Sequence, residues 1–248
     1  MANTTQFCFQ RIEKKYFISP AQMEVLLDEM RRHMTADRYG EYAIGNIYCD
    51  TENYRLIRAS LEKPAYKEKL RLRSYGVPTA EDKIFVELKK KCGGIVSTRR
   101  VTAPLPQAEH FLRTDTAPAE WGQIGQELQW FQRFYETVPR MFIGYDRTAW
   151  AGTEEPELRI TFDRNIRWRT DRLTLDAGND GKLLLPEDQI LMEVKIPGAC
   201  PLWLCRTLSA LDIYPTSFSK YGACYKAMCE ETGTPILTNY SKEAHRCA

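Results

Sequence analysis

Polar and apolar positions alternate with a period of two along much of the chain, the spacing of strands that keep one face in a core. In Tyr66 to Tyr75, Leu70 and Leu72 fall on one face and Lys67, Lys69, Arg71 and Arg73 on the other. Lys83 to Lys90 sets Ile84, Val86 and Leu88 against Glu87 and Lys89, and Glu157 to Phe162 sets Leu158, Ile160 and Phe162 against Glu157, Arg159 and Thr161. Ile190 to Ile196 opposes Met192, Val194 and Ile196 to Glu193 and Lys195. Further strands are expected over Phe7 to Ile18, Tyr42 to Cys49, Ile95 to Val101 after a Gly93-Gly94 turn, and Arg140 to Trp150. Asn179-Asp180-Gly181 predicts a hairpin within Leu173 to Leu185.

A helical period replaces this alternation in a few places. Ser19-Pro20 opens a helix whose apolar stripe is Met23, Leu26, Leu27 and Met30, running through His33-Met34. Asn53 to Leu61 predicts a short helix or a turn, and Pro201 to Leu211 and Lys220 to Cys229 two further helices. Between Pro104 and Val138, residues such as Ile124, Leu128, Phe131, Phe134 and Tyr135 mark a helical insert expected to cover an apolar surface. Trp121, Trp130 and Trp203 are expected as packing residues. The expected class is α+β, one domain over residues 1–231 with a loose tail over 232–248.

At 248 residues the chain is long enough for a sizeable core, and its 43% hydrophobic and 27% charged residues are those of a soluble protein. A net charge of +2 gives no general basicity of the kind that binds nucleic acid, so a cationic site must arise by clustering. No apolar run is long enough to span a membrane and no signal-peptide core opens the chain, so a cytoplasmic protein is expected. The eight cysteines include Cys200/Cys205 and Cys224/Cys229, spaced too widely for common zinc pairs; free thiols are expected. The three histidines are scattered, and no phosphate-binding P-loop is present.

The charged faces repeat. A carboxylate followed two residues later by a cation occurs at Glu13/Lys15, Glu87/Lys89, Glu157/Arg159 and Glu193/Lys195, and Tyr145/Arg147 puts an aromatic in the acid's place. One exposed pair means little, about 0–1 kcal/mol. Two arrangements fit the set: an open sheet with its charges in water, or a closed barrel with helices outside and charges inside, where about eight strands leave room for a ligand. In the second, eight cations (Lys15, Lys69, Arg71, Arg73, Lys89, Arg147, Arg159 and Lys195) face four acids (Glu13, Glu87, Glu157 and Glu193). Buried cations left unpaired cost several kcal/mol each, so such a lumen calls for a polyanion. Arginine forks suit phosphate oxygens, and carboxylates beside phosphate suit Mg²⁺ or Mn²⁺.

The segments Glu13-Lys14-Lys15-Tyr16, Lys69 through Gly76, Val86-Glu87-Leu88-Lys89, Tyr145-Asp146-Arg147, Leu158 through Asp163, Met192-Glu193-Val194-Lys195 and Ser219-Lys220-Tyr221 follow in this order. In that order the chain resembles the polyphosphate polymerase domain of the vacuolar transporter chaperone family, among the triphosphate tunnel metalloenzymes. The resemblance spans roughly Phe7 to Met228. It implies a closed antiparallel β-barrel tunnel, with Lys15, Lys69, Arg71, Arg73, Lys89, Arg147, Arg159, Lys195, Ser219 and Lys220 as the phosphate-binding set. It implies Glu193 as principal ligand of Mn²⁺ or Mg²⁺, with Glu87 and Glu13 as helpers. Arg71, Arg73, Arg147, Arg159 and Glu193 then carry transfer of the γ-phosphate of ATP or another triphosphate to a growing polyphosphate chain. Hydrolysis of tripolyphosphate or a nucleoside triphosphate, and polyphosphate binding without turnover, are the alternatives. The family's eukaryotic members carry an arginine just upstream of the Arg-Leu-Arg strand; here that context reads Ser60-Leu61-Glu62, with Arg58 two positions earlier. The resemblance also implies a freestanding version without regulatory domain or membrane helices, and with a membrane-protein partner as an option.

Overall fold

The computed structural model describes residues 12–93 and 95–236. The start of the first expected strand and the end of the expected tail lie outside these residues. Nine strands and six helices follow in the order β1 (Ile12–Ile18), α1 (Pro20–Met30), β2 (Met34–Asp50), α2 (Arg55–Leu61), β3 (Tyr66–Tyr75), β4 (Lys83–Cys92), β5 (Ile95–Pro104), α3 (Leu105–Thr114), α4 (Gly122–Tyr135), β6 (Val138–Gly152), β7 (Arg159–Arg169), β8 (Lys182–Leu183), β9 (Ile190–Ile196), α5 (Leu202–Ala210) and α6 (Lys220–Thr232). A single 3-10 turn, Ala119–Trp121, precedes α4.

The strands form one antiparallel sheet in the order β1-β9-β7-β6-β2-β3-β4-β5, with β8 paired to β7 alone. Among the described residues β1 and β5 are its two edges and no ladder joins them. The closed ladder that the sequence led us to expect is therefore not shown by these residues. The sheet nevertheless curls far enough for side chains to cross between its ends: Lys89 of β4 donates to Glu13 of β1 at 3.2 Å. The free edge of β1 is occupied by the segment before α6, where the Thr216 amide donates to the Lys15 carbonyl at 2.7 Å.

Two helical layers cover the convex face, each where the apolar alternation faces outward. Met23, Leu26 and Met30 of α1 and Leu204 and Leu208 of α5 pack on Ile160, Phe162, Met192, Val194 and Ile196. Phe111 of α3 and Leu128 and Phe131 of α4 pack on Leu70, Leu72, Ile84, Val86 and Leu88. The 104–138 segment thus covers an apolar face, as expected. Trp121 is buried there, whereas Trp130 lies on the exposed side of α4, stacked on Phe134 at 4.8 Å between ring centroids. A third apolar group lies on the concave face: Ile44, Met141, Ile143 and Leu191 meet Tyr221, Cys224, Tyr225 and Cys229 of α6. α6 therefore covers one end of the concavity.

Local chemistry sets the element limits. Ser19 and Gln22 form a reciprocal cap at the start of α1, each side chain bonding the other's backbone amide at 3.2 and 2.9 Å. That helix ends at Met30 in a tightened turn, and Met34 begins β2, so the predicted stripe through His33-Met34 was one turn too long. The expected hairpin is reduced to β8, with the chain from Thr170 to Gly181 irregular. Arg169 donates to the carbonyls of Asp180 and Arg172 and holds that loop without a strand partner. Glu157 falls in the exposed β6–β7 turn, which closes when the Gly152 amide donates to the Leu158 carbonyl at 3.0 Å. Gly93 turns β4 into β5 at φ 55°, a left-handed conformation glycine takes without strain.

Phe131 is fully buried between α4 and the sheet. Phe131→Ala should lower unfolding stability by about 3–5 kcal/mol in urea denaturation, the usual cost of an aromatic cavity. Trp130→Ala, on the open side of the same helix, should cost far less.

Candidate functional site

The concave face is built from the polar halves of the alternating strands. Register fixes which side chains meet there, because residues opposed across an antiparallel ladder share a face. Arg71 opposes Glu87, which opposes Arg100; Arg147 opposes Asp163; Thr161 opposes Glu193, which opposes Lys15; and Arg159 opposes Lys195, which opposes Glu13. α6 adds Ser219 and Lys220 at its first turn, with the Ser219 hydroxyl accepting from the Gly222 amide at 3.2 Å.

Two carboxylate centres organise these groups. Glu87 is completely buried. Its Oε2 accepts from Arg71 Nε at 2.7 Å and lies 3.8 Å from Arg73 Nε, while its Oε1 pairs with Arg100. Burial opposes its ionisation, but the three guanidinium groups outweigh it and hold its pKa far below the ordinary carboxylate range. The second centre joins five elements. Asp163 takes a two-pronged bond from Arg147, at 2.6 and 2.7 Å, and lies 2.5 Å from Lys220 Nζ. Lys220 also donates to Glu193 at 3.0 Å, and Lys15 Nζ lies 3.5 Å from the same oxygen. Burial would neutralise both carboxylates, yet the surrounding cations depress both pKa values; Lys220 is correspondingly raised.

Neutral groups aim the cations. Arg71 Nη1 donates to the Tyr48 hydroxyl at 3.1 Å, and Arg73 Nε to Asn46 Oδ1 at 3.0 Å. Tyr145, wholly buried, carries its hydroxyl 3.5 Å from Arg73 Nη2. Burial raises its pKa, but Arg73, Arg147 and Lys220 together pull it below the ordinary phenol value.

The remaining lysines are less well matched. Lys69 opposes Lys89 in the ladder and donates to Ser219 Oγ at 2.9 Å, with no salt bridge among the described residues. Burial and then the Lys15, Lys67, Lys89 and Arg71 charges lower its pKa to about 7. Burial likewise lowers Lys195 to about 8 although Glu193 and Glu13 oppose it, and Lys15 is lowered too despite Glu193. Glu13, bridging Lys89 and Lys195, is held at about 2: burial works against its ionisation and the lysines prevail.

The structure thus brings together on one surface Lys15, Lys69, Arg71, Arg73, Lys89, Arg147, Lys195, Ser219, Lys220, Glu13, Glu87 and Glu193. Arg159 stands at the exposed rim of that surface, and Glu157 is outside it. Arg58, on α2, lies beside Tyr225 of α6 rather than in the cation ladder. Sequence reasoning missed Asp163, Arg100, Asn46 and Tyr48. Asp163 was within reach, since it continues the Arg159, Thr161 alternation by one step. Arg100 was not, because Arg99 and Arg100 are adjacent and alternation cannot say which faces inward.

Among the described residues no group of three or more His, Cys, Asp or Glu is placed to hold a metal by itself. Glu193 with Glu13 fits a hard cation only in the manner of Mg²⁺ or Mn²⁺ beside phosphate, with one or two carboxylates and the other positions filled by phosphate oxygens and water. Glu87 does not fit the helper role expected of it, since arginines take both its oxygens.

The family model described as the VTC domain matches residues 10–229. A search of curated proteins finds no match. Among solved structures, a "putative adenylate cyclase" of Bacillus halodurans is similar at 13% identity and TM-score 0.52, covering 86% of this chain and 96% of that one. A Hippeastrum protein described as a "putative adenylyl cyclase" with dominant triphosphatase activity is 13% identical at TM-score 0.48, covering 92% and 99%. A "putative adenylate cyclase" of Vibrio parahaemolyticus is 10% identical at TM-score 0.46, covering 88% and 98%.

Removing the Glu87 carboxylate leaves three arginines facing one another. Glu87→Gln should destabilise the protein by about 3–5 kcal/mol in chemical denaturation, as for other broken buried pairs. A second prediction concerns pH. Lys69 and Lys195 are depressed in the folded chain, so between pH 7 and 10 the fold holds fewer protons than the unfolded chain. An anion placed between them restores their charge. Tripolyphosphate binding at pH 8 to 9 should therefore take up protons, read by calorimetry in buffers of different ionisation enthalpy, and Lys69→Arg should reduce the uptake.

Proposed function

This chain belongs to the VTC domain family, and on that premise we propose that its concave face binds a chain of phosphates and catalyses metal-dependent phosphoryl transfer from a triphosphate. The observation that carries the reading is the excess of cations that the protein's own carboxylates do not neutralise. Ten cationic side chains line or rim the surface (Lys15, Lys69, Arg71, Arg73, Lys89, Arg100, Arg147, Arg159, Lys195 and Lys220) against Glu13, Glu87, Asp163 and Glu193. Lys69, buried and then surrounded by other cations, gives up part of its charge near neutral pH and has no counter-ion among the described residues. A polyphosphate supplies it.

Phosphoryl transfer asks for positioning and charge neutralisation more than for a side-chain nucleophile. Arg71, Arg73 and Arg147 are already aimed by Glu87, Asn46, Tyr48 and Asp163, so their forks meet non-bridging oxygens with little reorganisation. Lys15, Lys69, Lys220 and Ser219 surround the end of the phosphate chain near α6, and Arg159 and Lys195 the rim. Glu193, with Glu13 beside it, would hold Mg²⁺ or Mn²⁺ against phosphate oxygens, supplying further charge neutralisation. The acceptor in this reading is the terminal phosphate of a polyphosphate.

Incubation with ATP and Mn²⁺, followed by sizing of the products, tests it. Long phosphate polymers are expected; orthophosphate as the sole product assigns hydrolysis instead, and no turnover with tight binding assigns a binding module. Arg71→Ala and Arg73→Ala should each weaken triphosphate binding at least roughly tenfold, since a charge-assisted bond contributes about 1.5–3 kcal/mol. Glu193→Gln should lose metal-dependent turnover while retaining most of the binding. Unchanged behaviour of all three variants would sink the proposal.

A further inference from the structure

From Tyr42 onward β2 gives the concave face no cation. Its inward residues support the cations of β3: Asn46 opposes Arg73 and Tyr48 opposes Arg71, each accepting a hydrogen bond from the arginine it faces. The ladder ends with Cys49 opposite Leu70, and one more step in the same register faces Asp50 with Lys69. Opposite charges so placed across a ladder ordinarily pair. These two do not. Asp50 is completely buried, and its hydrogen bonds come from uncharged donors, among them the amides of Thr51, Leu56 and Ile57 at 2.8, 2.9 and 2.9 Å and the Tyr221 hydroxyl at 2.9 Å.

The bonds from α2 serve a local purpose. Tyr54 gives that helix no side-chain cap, and the Leu56 and Ile57 amides find their acceptor in Asp50. The bond from Tyr221 serves none, since a phenylalanine would bury the same ring without a hydroxyl to satisfy. Tyr221 follows Lys220 on α6 and is tightly fixed. Its ring stacks on Tyr48, with centroids 4.6 Å apart and planes at 14°, and its hydroxyl meets Asp50. Gly222 beside it lets α6 approach α2 closely, because a Cβ there would stand 3.0 Å from Leu61 Cδ2. Lys69 Nζ lies 6.0 Å from the centre of the Tyr221 ring and turns to Ser219 Oγ rather than to Asp50. Burial, and then the Asp50 charge, hold the Tyr221 phenol far above its ordinary pKa, so the hydroxyl remains a donor.

We propose that Tyr221 is a positioning residue of the triphosphate site: by engaging the Asp50 carboxylate it keeps Lys69 out of an ion pair and so reserves that lysine for the phosphate chain. The inference rests on the triphosphate reading above and deepens it, by naming the contact that keeps one cation available to the substrate. Lys15 of β1, Lys67 and Arg71 of β3 and Lys89 of β4 face Lys69 from the strands, and Ser219 and Tyr221 from α6. None of these is an acid. A carboxylate at bonding distance would lock Lys69 as Asp163 and Glu193 lock Lys220, and a phosphate would first have to displace it.

Calorimetry of tripolyphosphate binding to the full chain tests this. At pH 8 to 9 wild type should take up protons as Lys69 regains its charge. Tyr221→Leu, which removes the stacked ring and the hydroxyl, should let Asp50 and Lys69 pair and cut the uptake to the level of Lys69→Arg. At pH 6, where Lys69 is charged in either protein, the same variant should bind roughly tenfold more weakly. Asp50→Asn added to Tyr221→Leu should restore both readings, which a general loosening of α6 would not allow. Tyr221→Phe keeps the stack on Tyr48; it should show smaller changes in the same direction, again reversed by Asp50→Asn, and decides the matter should the leucine chains not fold. Wild-type uptake and affinity in both Tyr221 variants, or losses that Asp50→Asn leaves in place, overturn the proposal while the triphosphate reading stands. If wild type binds no tripolyphosphate, the triphosphate reading falls and the proposal with it.

Discussion

The structure depends on holding many like charges together on a surface largely removed from water. Charges placed a few ångströms apart in a poorly polarisable interior repel strongly unless a counter-charge sits between them. Glu87 does this for Arg71, Arg73 and Arg100, and so ties β3, β4 and β5 to one another. Asp163 and Glu193 do it for Arg147, Lys220 and Lys15, and so tie β6, β7, β9, β1 and α6. These carboxylates do two jobs at once. They make the cation array tolerable in the empty protein, and they fix each guanidinium in one orientation.

This division separates the cations into two kinds. Arg71, Arg73 and Arg147 are locked by two or more partners and serve as a rigid floor. Lys69, Lys195 and Arg159 are held loosely or not at all by carboxylates, and two of them are depressed toward neutrality. A rigid floor suits recognition of fixed tetrahedral geometry. Adjustable lysines suit a ligand whose length or protonation changes during reaction.

The inner face is free for this purpose because the outer one is fully used. α1 and α5 cover one half of the convex side and α3 and α4 the other, so burial of the aliphatic residues requires nothing from the concavity. α6 is the exception. It enters the concave side, buries Tyr221, Cys224 and Tyr225 on Ile143 and Leu191, and in doing so delivers Lys220 to Asp163 and Glu193.

How much of this was legible depends on the range of the interactions concerned. Alternation within a strand is local, and it alone determined β3 and β9 to the residue and placed Arg71, Arg73, Glu87 and Glu193 on a common kind of face; the order of the motifs determined the family. Alternation cannot tell which strands become neighbours, so the pairing of Arg147 with Asp163, 16 residues away, and of Lys89 with Glu13, 76 residues away, had to await the register. It also cannot decide where a strand begins: Glu157 has the right parity but sits in a turn, outside the site it was expected to join. Whether β1 and β5 would meet was likewise beyond the sequence, since closure depends on the accumulated twist and stagger of eight strands. Tertiary structure alone decided that among the described residues no ladder joins the two ends, that side chains bridge them, and that the charged face becomes a concavity with one end covered by α6.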